Sequence, residues 1–195
     1  PPFPEDKFYA AADTRLPVAA VDDRGADVLE LISTHDQRYP TFPVAPYEGL
    51  AQPHSITLDL GDLAGARQII LFLDAWIYWP ESSTVMAIAQ DPRFAVTPLA
   101  LQLQDDQGRW QTVIESVGLP TSKGLVVPVD LTGRFTGKNY RVRLATTLCV
   151  YFDRVFVATG DQAQRCRVTE LPVAESDLHY RGFSAMSRDA LGYER

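Results

Sequence analysis

Residues 67–79, RQIILFLDAWIYW, constrain the fold more than any other stretch of the chain. At the two-residue period of a strand, Ile69, Leu71, Leu73, Ala75, Ile77 and Trp79 fall on one face, and Ile70, Phe72, Asp74, Trp76 and Tyr78 on the other. Both faces are apolar, so this strand belongs inside a layered structure rather than on a half-solvated sheet. A second run, LCVYFDRVFVA over residues 148–158, has the same character. Each run sets aromatic rings beside a carboxylate, which is also the composition of a ligand shelf.

Around these runs the chain reads as short strands separated by turns. Residues 55–60 alternate Ile56, Leu58 and Leu60 against Ser55, Thr57 and Asp59. Residues 99–104 and 109–114 form a hairpin across Asp105-Asp106-Gln107-Gly108, and 124–130, 139–146 and 165–173 supply further strands. Fourteen prolines and twelve glycines, spread along the chain, suit this punctuation. About eight strands at such spacing predict an all-β fold, a jelly-roll or galactose-binding-like β-sandwich of two packed sheets. Ser82 or Ser83 is placed to cap a brief helix through Gln90, Asp22 to Gly25 carries a turn signal, and residues 28–33 are a short apolar element of undetermined type.

Residues 36–53 contain four prolines with Tyr39, Phe42 and Tyr47, and read as a long loop wrapped on the surface or used functionally. The expected organisation is an irregular arm over residues 1–16, the sandwich over 17–174, and a strap over 175–195 that packs back on it. The chain opens at Pro1 with neither a methionine nor a signal-peptide pattern, as expected of a processed or excised piece.

Bulk properties remove several function classes. A chain of 195 residues buries a core that needs no disulfide or metal staple. A net charge of -7 and a pI near 4.9 oppose a phosphate backbone, so nucleic acid is not an expected partner. No apolar run approaches the roughly 20 residues that span a bilayer. A hairpin of residues 151–157 with 164–173 would hold Cys149 and Cys166 too far apart to bridge, which leaves two buried free thiols.

Five groups of residues carry candidate chemistry. Asp74, Trp76, Tyr78 and Trp79 at one strand end, with Tyr151 and Asp153 in the second run, form a candidate ligand site. Flat rings suit sugar faces and the carboxylates suit hydroxyls, while core and rim packing is the plainer reading of the same rings. Asp153, in an inner strand on the face of Tyr151 and Val155, needs a partner, and Arg141 or Arg143 is expected to supply it. Tyr39, Phe42 and Tyr47 in the long loop, with Tyr180 and Arg181 in the tail, are candidates for docking a partner chain. Arg181 alternatively locks the tail onto the sandwich. Asp22, Asp23 and Asp27 around Gly25 offer oxygens for a structural calcium ion, the one cofactor reading the chain invites, although a plain turn explains them as well. His35, His54 and His179 are scattered without the spacing of zinc ligands. The chain has no G-x-S-x-G elbow, phosphate-binding glycine loop or H-E-x-x-H, so catalysis is not expected.

The order DDRGAD (22–27), RYPTF (38–42), PYEGLAQPHSITLDLG (46–61), SST (82–84), GRWQTVIESVGLP (108–120), VVPVDLTG (126–133), TTLCVYFDRVFVA (146–158) and LHYRGFS (178–184) carries a resemblance. It resembles the C-terminal β-sandwich region of bacterial multidomain proteins that combine FG-GAP-type propeller repeats with an ASPIC/UnbV segment, or that carry tetratricopeptide repeats. This chain departs from that pattern in having Phe152 where the family has a tryptophan in its YWD motif, and in lacking the repeat array. The resemblance implies an accessory module on a secreted or envelope-associated protein, with no catalytic residues to carry over. The resulting expectation is a non-catalytic binding or assembly module outside the cytoplasm, docked on other protein chains of a larger assembly. The alternative is a carbohydrate-binding module with a glycan on its aromatic shelf.

Overall fold

The computed structural model describes residues 13–118, 120, 124–160, 169, 171–180 and 182–183. Among them the strands are β1 (Thr14–Arg15), β2 (Ala19–Asp22), β3 (Leu50–Asp59), β4 (Ile70–Ile77), β5 (Ala100–Gln104), β6 (Trp110–Ile114), β7 (Leu125–Asp130), β8 (Arg141–Leu148) and β9 (Val150–Ala158), with one short helix, α1 (Ser82–Gln90). The strands make two antiparallel sheets packed as a sandwich, one in the order β1-β9-β4-β7 and the other β2-β3-β8-β5-β6.

The two aromatic runs are hydrogen-bonded neighbours, β4 and β9, at the centre of the four-stranded sheet. Leu71, Leu73, Ala75 and Ile77 of β4 point into the core with Val150, Phe152, Val155 and Val157 of β9, and meet Leu58, Leu101, Val142 and Leu144 of the facing sheet. Leu58, Leu71, Leu101 and Val142 are wholly buried, each leucine contributing about 1.5–3 kcal/mol of transfer free energy. On the outer face Ile70, Phe72 and Ala158 form a second buried cluster, with Phe156 stacked on Phe72 at 4.9 Å. Burial on both sides is what the double apolar pattern of residues 67–79 required.

The 105–108 hairpin forms where its sequence places it. Asp105 Oδ1 accepts the N–H groups of Gln107 and Arg109, and Gly108 takes φ +81°, a left-handed conformation that glycine adopts without strain. The apolar element at 28–33 is a 3-10 turn, Glu30–Ile32, that drops Ile32 into the core. Helix α1 has the expected span, but Glu81 rather than Ser82 or Ser83 is its N-cap, in extended conformation and without a capping side-chain bond.

Other expectations change. The strand predicted over 55–60 starts at Leu50, so the last four residues of the predicted loop belong to β3. Its ladder with β8 is irregular between Leu50 and His54, the stretch that holds Pro53, which has no N–H to pair. The end of the predicted arm is β1, whose Thr14 and Arg15 pair with Ala158 and Val157. That places β1 where a hairpin of 151–157 with 164–173 would have to begin, and the described residues of 165–173 form no strand. Cys166 lies outside the described residues. Cys149 is buried and unbridged, and burial pushes its thiol up from its usual range. Towards the end of the described residues, Leu171, Val173, Leu178, Tyr180 and Phe183 stand exposed, Leu178 completely, while most of the strap expected over 175–195 (residues 181 and 184–195) lies outside the described residues.

Candidate functional site

The site begins with one extra residue in β9. Asp74 pairs with Arg154 and Ala75 with Phe152, so Asp153 is an additional residue opposite β4, a β-bulge. The bulge lets Phe152 and Val155, three residues apart, both face the core. It therefore corrects the expectation that Asp153 and Val155 share a face. Asp153 is turned to the outer side, where its side chain is only 5% exposed.

The chain after the 3-10 turn supplies what that buried carboxylate needs. Ser33 bridges to Arg154 beside β9, which brings residues 35–37 over the bulge. The backbone N–H groups of Asp36 and Gln37 both donate to Asp153 Oδ1 at 2.9 Å. Gln37 takes φ +64°, a left-handed conformation uncommon for a residue with a side chain, and its N–H bond to Asp153 helps hold it there. His35 Nδ1 lies 2.8 Å from Asp74 Oδ2 and 3.3 Å from Asp153 Oδ2. The hydrogen bond to Asp74, the charge of Asp74 and then that of Asp153 raise the imidazole above its ordinary value. His35 thus favours its charged form, a cation shared by two carboxylates.

Arg141 and Arg143 are not the partners of Asp153. Both belong to the opposite sheet, where Arg141 pairs with Asp59 at 3.3 Å and Arg143 lies over the Trp110 ring at 4.0 Å. Arg154, across from Asp74, has its guanidinium 4.7 Å from the centre of the Phe156 ring.

Aromatic rings adjoin the carboxylates. Trp76 and Tyr151, a cross-strand pair, stack at 4.3 Å with planes 11° apart. Tyr39 meets them edge-on, 5.9 Å from Trp76 and 5.6 Å from Tyr151. Together His35, Gln37, Tyr39, Asp74, Ala75, Trp76, Gly124 and Asp153 line a recess of about 270 Å³. Gly124 does not take a positive φ, and among the described residues a methyl group there would touch only Asp74 Oδ1, at 3.9 Å. The missing side chain therefore leaves space beside that oxygen rather than easing the backbone.

Of the six residues expected to bind ligand, Asp74, Trp76, Tyr151 and Asp153 are brought together. Tyr78 and Trp79 lie beyond the end of β4 and do not line the recess. The Tyr78 hydroxyl bonds to Glu48, and Trp79 is partly exposed. The three loop rings expected to dock a partner are half-buried on their own domain. Tyr39 covers the Trp76–Tyr151 pair, and Phe42 stacks on His54 at 4.5 Å. Tyr47 meets Phe94 at 4.9 Å while its hydroxyl donates to Asp91. Tyr180 is exposed in the tail against Phe183, and Arg181 lies outside the described residues.

The calcium reading fails at Asp22. Its Oδ1 accepts the N–H groups of Arg24 and Ala26 and its Oδ2 takes the Arg24 guanidinium, so the carboxylate is consumed in closing its own turn. Among the described residues no three His, Cys, Asp or Glu side chains are grouped to hold a metal ion. His35, Gln37 and Gly124 were missed by sequence reasoning, since only the fold joins them to residues dozens of positions away. No protein-family model and no curated protein matches this chain.

Proposed function

We propose that this chain is a non-catalytic accessory module that binds a glycan in the recess between β4, β9 and residues 35–39. The observation that carries the reading is the joining of a stacked aromatic pair to a carboxylate with an unclaimed oxygen. Sugar rings present apolar C–H faces to aromatic rings and hydroxyl donors to carboxylates, and a recess of about 270 Å³ has room for a single sugar unit. Asp153 has both oxygens engaged, which leaves one carboxylate rather than two for a ligand. Among the described residues, the lining contains no serine, threonine, cysteine or lysine to act as a nucleophile.

The strand order supports a jelly-roll, galactose-binding-like assignment. Setting β2 aside, β1-β9-β4-β7 against β3-β8-β5-β6 is the order that two Greek keys of about eight strands produce. With the motif order shared with accessory regions of FG-GAP, ASPIC/UnbV and tetratricopeptide-repeat proteins, it favours work outside the cytoplasm as part of a larger assembly. No helix among the described residues is long and apolar enough to cross a membrane. Electrophoresis through gels cast with different polysaccharides tests the binding. At least one polysaccharide retards the protein, and Gly124→Leu, which fills the recess, restores free migration. Free migration in every gel would end the reading.

A second reading, docking to other protein chains, is favoured by the tail. Five large apolar side chains between residues 171 and 183 are at least 79% exposed, more than a short segment ordinarily leaves in water. Chain truncated after residue 160 would then separate from the native assembly that retains the full chain.

A further inference from the structure

The charges around the recess go further than the glycan reading on which this inference rests, and they select among glycans. Asp74 and Asp153 together share one basic partner, the imidazole of His35. Asp153 is supplied in full, with two N–H donors on Oδ1 and the imidazole on Oδ2. Asp74 is not. Its Oδ2 takes His35, while Oδ1 faces the space left by Gly124.

Among the described residues, neither Arg154 nor Arg38 makes an ion pair with Asp74 or Asp153. Arg154 lies over Phe156, and Arg38 is bound to Asp36 at 2.8 Å and Glu30 at 3.3 Å. Among the described residues, those lining the recess include no lysine or arginine. Trp76 borders the same space, and an indole ring attracts cations through its face. A neutral hydroxyl satisfies Asp74 Oδ1 but leaves the negative charge of the pair uncompensated. An ammonium group satisfies both, since it donates to that oxygen as a hydroxyl does and also brings a full positive charge beside the carboxylates.

We infer that the recess is selective for a protonated amino sugar, with the ammonium on Asp74 Oδ1 and the sugar ring beside Trp76. Asp74 is the ligand-binding carboxylate. Asp153 is a positioning residue that holds residues 35–37 in place and does not itself meet the ligand.

Acetylation removes the charge of an amino sugar while keeping its ring, which makes the matched pair of probes. Calorimetric titration at mildly acidic pH with oligomers of glucosamine and of N-acetylglucosamine gives tighter binding of the amine by about tenfold or more. Asp74→Asn abolishes that preference, because the amine loses more affinity than the neutral oligomer does, and added salt weakens only the amine. A linear diamine, which has the charge but no ring to lie beside Trp76, controls for general attraction to an acidic protein, and it binds more weakly than the glucosamine oligomer. Equal binding of the two oligomers, tighter binding of the acetylated one, or a preference that survives in Asp74→Asn would overturn the inference. In those cases the glycan reading stands. No binding of any sugar would overturn both.

Discussion

Replacing Asp153 tests whether the bulge organises the site. Asp153→Ala removes the acceptor of two backbone N–H groups, at 2.9 Å each, and one of the two carboxylates facing His35. Hydrogen bonds to a charged group contribute about 1.5–3 kcal/mol each, and the two backbone bonds carry the loss because the His35 side chain is 57% exposed and keeps Asp74. The side chain is 5% exposed, so solvent does little to replace the lost contacts. Asp153→Ala should therefore lower stability by about 3–5 kcal/mol, or Tm by roughly 6–20 °C for a chain of this size. Asp153→Asn keeps an oxygen for the two N–H groups but turns an amide NH2 toward the imidazole in place of Oδ2, so it should lose less than Asp153→Ala. Urea unfolding of the two variants against wild type measures both losses. A loss below about 1 kcal/mol for Asp153→Ala, or equal losses for the two variants, would refute the role given to Asp153.

Three further outcomes are expected. His35 is raised by Asp74 and Asp153, so its contribution is fully present below about pH 6.5 and is lost as pH rises through the higher folded value. Hydrogen exchange at the Asp36 and Gln37 amides, corrected for intrinsic rates, should lose protection over that range, and constant protection would contradict it. His54 is lowered by burial and acts with the opposite sign: it adds stability above about pH 6.5 that is lost as pH falls toward its folded value, so His54→Gln should flatten the acid side of the stability profile. Gly49→Ala should destabilise by more than about 1 kcal/mol in urea unfolding, because Gly49 has φ +78° and a methyl group there would meet the backbone nitrogen of Pro80 at 2.4 Å.

The sandwich was legible because its signal is local. The double apolar faces of residues 67–79 put β4 in the middle of a sheet, and Asp105 to Gly108 closes a hairpin whose polar contacts lie within four residues. The bulge was legible too, though it was not read: the core positions of β9 run 150, 152, then 155, 157, and a parity change at Asp153-Arg154 is the mark of an inserted residue. His35 carries no such mark. It reaches Asp74 across 39 residues, by way of a 3-10 turn that places Ile32 in the core and Ser33 beside Arg154. The loop rings Tyr39, Phe42 and Tyr47 were read as outward anchors because nothing in a proline-rich segment tells which way its rings turn. Here the half-buried ring of Tyr151 and a flat neutral His54 give Tyr39 and Phe42 surfaces to cover, and Tyr47 closes on Phe94 and Asp91.

The central proposal is that Trp76 borders a glycan-binding site. The chain has three tryptophans, so Trp79→Phe combined with Trp110→Phe leaves Trp76 as the sole indole reporter. Titrating that variant with glucosamine oligomers should change its emission in a saturable way, and adding Gly124→Leu should abolish the change. Emission that stays constant with glucosamine oligomers and every other glycan, while the variant remains folded by circular dichroism, would contradict the account.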